Sequence, residues 1–228
     1  MTGQRGKFIT FEGGDGTGKT TQIGLFAEYL AENCGITPVL TREPGGTAEA
    51  EKIRALLVQR GGGDWDPLTE VLLLSAARRE HLVKKILPAL EAGQWVISDR
   101  FVDSTTAFQG YGMGLPQQQL QTIYREIAGD FMPDLTFILD IDPAEGLKRS
   151  GRHLAETADA AEKTEDRYER MGLEFHARLR DGFLEIAKNN PQRCAVIDAA
   201  LPLEHVQAEI RRAFAEKFSL HRKEALNG

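Results

Sequence analysis

Residues 13–20 read Gly-Gly-Asp-Gly-Thr-Gly-Lys-Thr, a full match to G-x-x-x-x-G-K-[ST]. No other stretch restricts the fold as strongly, because it demands a strand before it, a helix after it and an anion between. Gly13 and Gly18 let the backbone turn so that its N–H groups face inward. Lys19 is then placed for the β- and γ-phosphates of a nucleotide, and the Thr20 hydroxyl for Mg²⁺. The surroundings agree with the motif. Lys7 to Phe11 is a short β-type run, and Ile23, Phe26, Ala27 and Leu30 repeat with helical spacing. The start of that helix adds partial positive charge to the site.

The rest of the chain alternates in the same way. β-like runs recur at 37–41, 94–98, 135–141 and 193–198. Helical segments are expected at about 48–59, 68–92, 116–128 and 202–218. Asp142 and Pro143 form an N-cap and first-turn pair opening a short helix, and Tyr168, Met171, Phe175 and Leu179 again show helical spacing. Alternation of this kind predicts an α/β fold with a P-loop NTPase-type parallel five-stranded sheet and helices on both faces. A chain of 228 residues suits one domain over 1–228, with a core of about 7–214. The segment 149–167 is rich in Arg, Ala, Glu and Asp and poor in large apolar residues. It reads either as a solvated insertion or as a lid that closes over phosphates, and Arg149 and Arg152 at its start favour the lid. Arg60 to Asp66 is a glycine-rich connector, and the tail from His221 is polar.

A net charge of −6 argues against a general nucleic-acid binder, which needs a basic face. It leaves room for a nucleotide site, since a few arginines suffice for one phosphate. Cys34 and Cys194 lie far apart without metal-type spacing and read as small apolar residues in a reducing compartment. Met1 to Lys7 lacks the apolar run of a signal peptide, and no stretch reaches the length of a membrane span, so a cytoplasmic protein is expected. His81, His153, His176, His205 and His221 form no pair with catalytic spacing and receive no chemical role.

In an open α/β sheet, ligands gather at the carboxyl ends of the strands. Asp99 and Arg100 end the third run, Thr41 to Gly46 ends the second, and Asp15 sits inside the glycine-rich loop. Arg54, Arg78 and Arg100 come from separate elements and can converge on a shared anion, each able to make paired bonds to phosphate oxygens.

Over about 8–214 the sequence closely resembles the thymidylate kinase family, of bacterial type. The resemblance is carried by Phe11 to Thr21, by Thr41-Arg42-Glu43-Pro44-Gly45-Gly46-Thr47 and by Ala76-Ala77-Arg78. It continues through Ser98-Asp99-Arg100-Phe101, Ser104-Thr105-Thr106-Ala107-Phe108-Gln109-Gly110 and Met132 to Thr136. It implies transfer of the γ-phosphoryl of ATP onto the 5′-phosphate of dTMP, in the supply of dTTP. ATP would lie on Gly13, Gly14, Asp15, Gly16, Thr17, Gly18, Lys19, Thr20 and Thr21, with Mg²⁺ near Thr20 and Asp99. The acceptor phosphate would lie against Arg54 and Arg100, and the thymine edge would face Arg78. Ser104, Thr105 and Gln109 would line the base and sugar pocket, Phe108 would crowd the sugar 2′ position, and Asp15 and Glu43 would stand near the sugar and the phosphate and metal region. Many members carry an aromatic ring at the position of Leu74, which covers the base here by apolar contact alone. One branch carries an arginine at the position of Gly16; the bacterial branch supplies that charge from the lid, making Arg149 and Arg152 the candidates. The resemblance also implies a homodimer, with apolar helix faces of the 48–92 region in contact.

A nucleoside monophosphate is already ionised at neutral pH, so such a reaction needs alignment and charge neutralisation rather than a general base. The expected catalytic residues are Lys19, Asp15, Arg100, Arg149 and Arg152. Two other readings stay open at this level: a kinase of a deoxynucleoside, using Glu43 or Asp15 as base, and a conformational P-loop ATPase, which has no use for acceptor-side arginines.

Overall fold

Every residue of β1 (Phe8–Glu12) is buried. A strand covered on both faces needs that composition. A computed structural model describes residues 5–58, 63–156, 168 and 171–218, with backbone alone over 152–156. In it, β1 pairs in parallel with β3 (Val96–Asp99) on one side and with β4 (Leu135–Asp140) on the other. β2 (Val39–Arg42) extends the sheet beyond β3, and β5 (Cys194–Asp198) extends it beyond β4. Among the described residues the sheet is five-stranded, in the order β2-β3-β1-β4-β5. β1 is therefore central, and the loop that leaves it emerges in the crevice between its neighbours, where such sheets bind ligands.

Alternate strand residues feed two apolar layers. On one face α1 (Lys19–Cys34) and α9 (Leu203–Phe218) cover Ile9, Phe11 and Phe137. Phe26 stands edge-on to Phe137 and Phe214, with centroids 5.6 and 5.3 Å away. On the other face Leu82, Ile86 and Leu90 pack on Phe8, Val96 and Phe101. There α8 (Leu173–Asn189) brings Phe175, Leu179 and Phe183 onto Ile138 and Phe108.

The strands lie within two residues of their expected places, and so do α2 (Ala48–Val58) and α6 (Gln117–Ala128). The long helix expected over 68–92 differs. It is α3 (Pro67–His81), a π-helical turn over Leu82–Ile86, and α4 (Leu87–Glu91). Pro88 supplies the reason: it has no N–H to donate and its ring would strike the carbonyl of Lys84, so a wider turn relieves the helix there. A second helical stretch has no clear signal in the sequence. α5 (Val102–Thr105) runs straight into a π-helical segment, Thr106–Gly112, whose β-branched residues and glycines are poor helix formers. Asp142 caps α7 (Pro143–Glu156) as expected, its Oδ1 accepting from the N–H groups of Ala144 and Glu145 at 3.0 and 3.3 Å. α7 is longer than the short helix expected and carries both Arg149 and Arg152; the rest of the segment expected as a lid, 157–167, lies outside the described residues. Tyr168 sits in a turn ahead of α8 rather than on it.

A buried polar chain ties the sheet to α5. Arg193 binds Asp103 through both terminal nitrogens at 2.6 and 2.8 Å. It also donates to Thr136 Oγ1 at 3.2 Å, and Thr136 bonds Thr10 across β4 and β1 at 2.8 Å. Removing one member of a buried pair leaves an uncompensated charge. Arg193→Met is therefore expected to lower unfolding free energy by about 3–5 kcal/mol in urea denaturation.

Candidate active site

The loops leaving β1, β2 and β3 border one cleft of about 480 Å³ at the carboxyl edge of the sheet. Its lining includes Asp15, Gly16, Gly18, Lys19, Thr20 and Thr21 from the first loop, whereas Gly14 and Thr17 face a smaller hollow on the far side. Gly16 shows why this chain has no side chain there. Its φ is +73°, and an added Cβ would fall 1.9 Å from the carbonyl oxygen of Gly146 in α7. An arginine at that position would have to displace α7.

Lys19 curls back into the loop, its Nζ donating to Gly14 O at 2.8 Å, Gly13 O at 3.2 Å and Thr17 Oγ1 at 3.3 Å. Burial, reinforced by the charge of Arg100, lowers its pKa to about 8, with Asp99, Asp15 and Glu12 opposing. An anion on the loop would raise it again. At the end of β1, Glu12 is fully buried. Its Oε1 accepts the N–H of Phe101 at 2.7 Å, and Ser104 Oγ lies 2.5 Å from its Oε2. Burial, aided by the nearby charge of Asp103, pushes the Glu12 carboxyl up to about 8 against the pull of Ser104 and Arg100.

Arg100 joins the two sides of the cleft. Its backbone is left-handed, with φ 68°, which an arginine adopts only at some cost. That geometry turns the guanidinium back across β1. Nη2 meets Asp15 Oδ1 at 2.8 Å, and Nη1 donates to Gly13 O at 2.9 Å and Ser104 Oγ at 3.1 Å. The group also lies over the Phe108 ring, 4.9 Å from its centroid. Beside it, Thr20 Oγ1 approaches Asp99 Oδ2 at 3.4 Å, while Asp99 Oδ1 is buried with no hydrogen-bond partner. A buried carboxylate oxygen left bare beside a threonine hydroxyl is a donor set suited to a hard divalent cation.

On the opposite flank the arginines divide. Arg54 Nη1 donates to Pro44 O at 2.7 Å. Arg78 is buried and paired with Glu43, Nε to Oε2 at 2.7 Å, and its Nη2 donates to Phe101 O and Thr105 Oγ1 at 3.1 and 3.0 Å. Arg78 is thus neutralised by Glu43 rather than available to a shared anion with Arg54 and Arg100. Glu43, expected near the phosphate and metal, spends its other oxygen on His81, Oε1 to Nδ1 at 3.0 Å. Gln109 Nε2 donates to Glu70 Oε1 at 2.6 Å, as does Tyr168 Oη at 2.6 Å, and Gln109 Oε1 is buried without a partner. Leu74, Ser104, Thr105 and Phe108 line the same cleft. Arg149 reaches it from α7, its Nε 3.2 Å from Glu145 Oε1 and its Nη1 donating to Ala199 O at 2.8 Å. The side chain of Arg152 lies outside the described residues.

The cleft therefore collects every described residue expected at the acceptor and metal positions. Sequence reasoning missed Glu12, Glu70, His81 and Tyr168. Glu12 and Glu70 are fully buried carboxylates, and an acidic residue inside an apolar run was the available signal. Nothing local marks His81 or Tyr168.

Fold and cleft together are those of a P-loop kinase. A family model described as thymidylate kinase matches residues 11–210. A thymidylate kinase of Magnetococcus marinus is 44% identical over 214 residues, 94% of this chain and 98% of that protein. One from Geobacillus thermodenitrificans is 44% identical over 204 residues, 90% of this chain and 87% of its own. A crystal structure of thymidylate kinase from Ehrlichia chaffeensis superposes with a TM-score of 0.71 at 41% identity, covering 92% of this chain and 99% of that one. The chain belongs to the thymidylate kinase family, and its activity is the phosphorylation of dTMP to dTDP.

The Glu12 geometry carries a pH signature. Its folded pKa is raised, so the group costs nothing while protonated in both states, and stability is lost as pH rises from about 4.5 to about 8. Glu12→Gln cannot ionise. Its melting temperature relative to wild type is expected to climb across that window and level off above it, whatever the constant offset from the altered hydrogen bonds. A difference that falls with pH would mean that the fold favours the ionised carboxylate.

Proposed function

We propose that ATP lies along the first loop with its γ-phosphoryl facing Arg100, and that dTMP occupies the flank formed by the β2–α2 loop, α3 and the π-helical segment after α5. The single observation carrying this assignment is Arg100. Its backbone belongs to the acceptor side, yet its guanidinium bonds Gly13 O and Asp15 of the donor loop at 2.9 and 2.8 Å. A cation so placed holds two anions close together against their repulsion. Arg54, which donates to Pro44 O on the same flank, completes the grip on the acceptor phosphate.

The acceptor is an ionised phosphate, so alignment and charge neutralisation suffice. Lys19 exchanges its loop carbonyls for phosphoryl oxygens, which favour its charged form further. Thr20 and Asp99 are the residues that would hold Mg²⁺, which when bound neutralises charge on the triphosphate oxygens. Arg149 serves the transferred group from α7, with Arg152 as the second candidate. Gln109 Oε1 is an acceptor in want of a donor, and N3–H of thymine is one, whereas N3 of cytosine is not. Leu74 covers the base face by apolar contact, and Phe108, held under Arg100, crowds the sugar 2′ position.

A nucleoside acceptor would need a base. Both carboxylates open to that role are engaged, Glu43 by Arg78 and His81 and Asp15 by Arg100, which favours the monophosphate. One domain over 1–228 accounts for these elements. Among the described residues no helix is long and apolar enough to cross a membrane, and we place the enzyme in the cytoplasm. We also propose a homodimer through the 48–92 region, where Leu56 and Leu72 stand about half exposed.

Coupled assays with dTMP, dUMP, dCMP, dGMP and AMP test the substrate; dTMP should be strongly preferred, and comparable turnover of all five would defeat the acceptor assignment. Arg100→Ala should cut kcat/KM for dTMP by roughly 10³-fold while ATP binding, followed by calorimetry, stays nearly intact; equal loss of both would misplace the residue. Lys19→Ala should abolish turnover with the circular dichroism spectrum preserved.

A further inference from the structure

We infer that His81, through Glu43, is a positioning residue that sets base and acceptor recognition while leaving the donor site alone. The inference rests on the acceptor assignment above.

His81 ends α3 and is fully buried. Its Nδ1 lies 3.0 Å from Glu43 Oε1 and its Nε2 2.7 Å from Thr41 Oγ1. Arg78 precedes it by three residues on the same helix face and takes the other Glu43 oxygen at 2.7 Å. Glu43 is thus held between two prongs of α3. An ionised carboxylate only accepts, so Nδ1 carries the proton; in the neutral ring Nε2 then accepts from the Thr41 hydroxyl. The tautomer follows from the partners, and with it the ring plane.

Arg78 has little freedom left. Nε is spent on Glu43 and Nη2 on Phe101 O and Thr105 Oγ1. Nη1 makes none of these bonds and is the nitrogen available to a base in the cleft. Its direction depends on where Glu43 sits, and Glu43 is steadied by His81.

The imidazole also shapes the loop beside it. Gly46, at φ +87°, packs so closely that a Cβ would come within 2.5 Å of His81 Nε2 and 2.6 Å of Thr41 Oγ1. The same loop offers Pro44 O to Arg54. One ring therefore supports both the base-side arginine and the phosphate-side arginine of the acceptor. It touches no residue of the glycine-rich donor loop in any bond described here. Leu74 supplies no aromatic face, so recognition leans on these hydrogen bonds.

The test is steady-state kinetics of His81→Phe and His81→Asn against wild type, with dTMP, dCMP and ATP varied. Phenylalanine fills the space without either bond, and asparagine keeps a donor for Glu43. His81→Phe should raise KM for dTMP about tenfold or more, since a buried carboxylate loses a hydrogen bond. KM for ATP and kcat should stay within twofold, the preference for dTMP over dCMP should narrow, and His81→Asn should restore most of the loss. If His81→Phe does not fold, Thr41→Val decides, with a KM for dTMP raised about threefold and an unchanged KM for ATP. Parallel rises in both KM values, a fall in kcat alone, or no change would overturn the inference while the acceptor assignment stands. A wild type that ignores dTMP would overturn both.

Discussion

The carboxyl of Glu12 grips the turn on which the rest of the site is built. It is the last residue of the central strand and the neighbour of the glycine-rich loop, yet its bonds go to Phe101 and Ser104 beyond β3. Dry surroundings make such bonds strong and make losing them costly. They hold the chain on the far side of Arg100, whose left-handed φ of 68° costs roughly 1–3 kcal/mol. With both ends of the turn fixed, the guanidinium has to point over β1 toward Asp15 and Gly13. The raised pKa of Glu12 is the visible cost of placing a carboxyl where water is excluded.

Around that turn the cations are held in two different ways. Lys19 rests on backbone carbonyls, partners that phosphate oxygens can replace. Arg100 combines a carbonyl, a hydroxyl and Asp15. Arg78 is bound to a buried carboxylate that is itself bound to His81. Groups waiting on neutral partners suit ligands that bring full charge. A group already neutralised suits an uncharged base edge, read by direction rather than by charge.

Some of this was plain in the chain itself. The Gly13–Thr20 pattern located the glycine-rich loop between β1 and α1, and the apolar runs located the strands, because both signals are local: turn chemistry, period and length. The residues expected at the acceptor came from resemblance, and the structure brings Arg54, Arg78, Arg100 and Gln109 to one cleft. What could not be read was partnership. Nothing near His81 in sequence says that it faces Glu43, 38 positions away. Nothing near Glu70 says that Gln109 and Tyr168 converge on it. The helical run through Val102–Gly112 was hidden because β-branched residues and glycines argue against it locally, while packing against α8 overrides that preference. Pro88 was visible, but its effect, a widened turn within a continuing helix, depends on the burial of Leu82, Ile86 and Leu90 that keeps both halves in line.

By itself, then, the sequence determined the class of sheet and the place of the glycine-rich loop between its central strand and the first helix. Hydrophobic period and glycine placement act over a few residues, and the handedness of β-α-β connections does the rest. Tertiary structure alone decided which arginine is neutralised, which carboxylate keeps a bare oxygen beside Thr20, and why Gly16 has no room for a side chain. Those outcomes turn on burial and on distances of a few ångströms between elements far apart in the chain, where loss of water sets the strength of every charge.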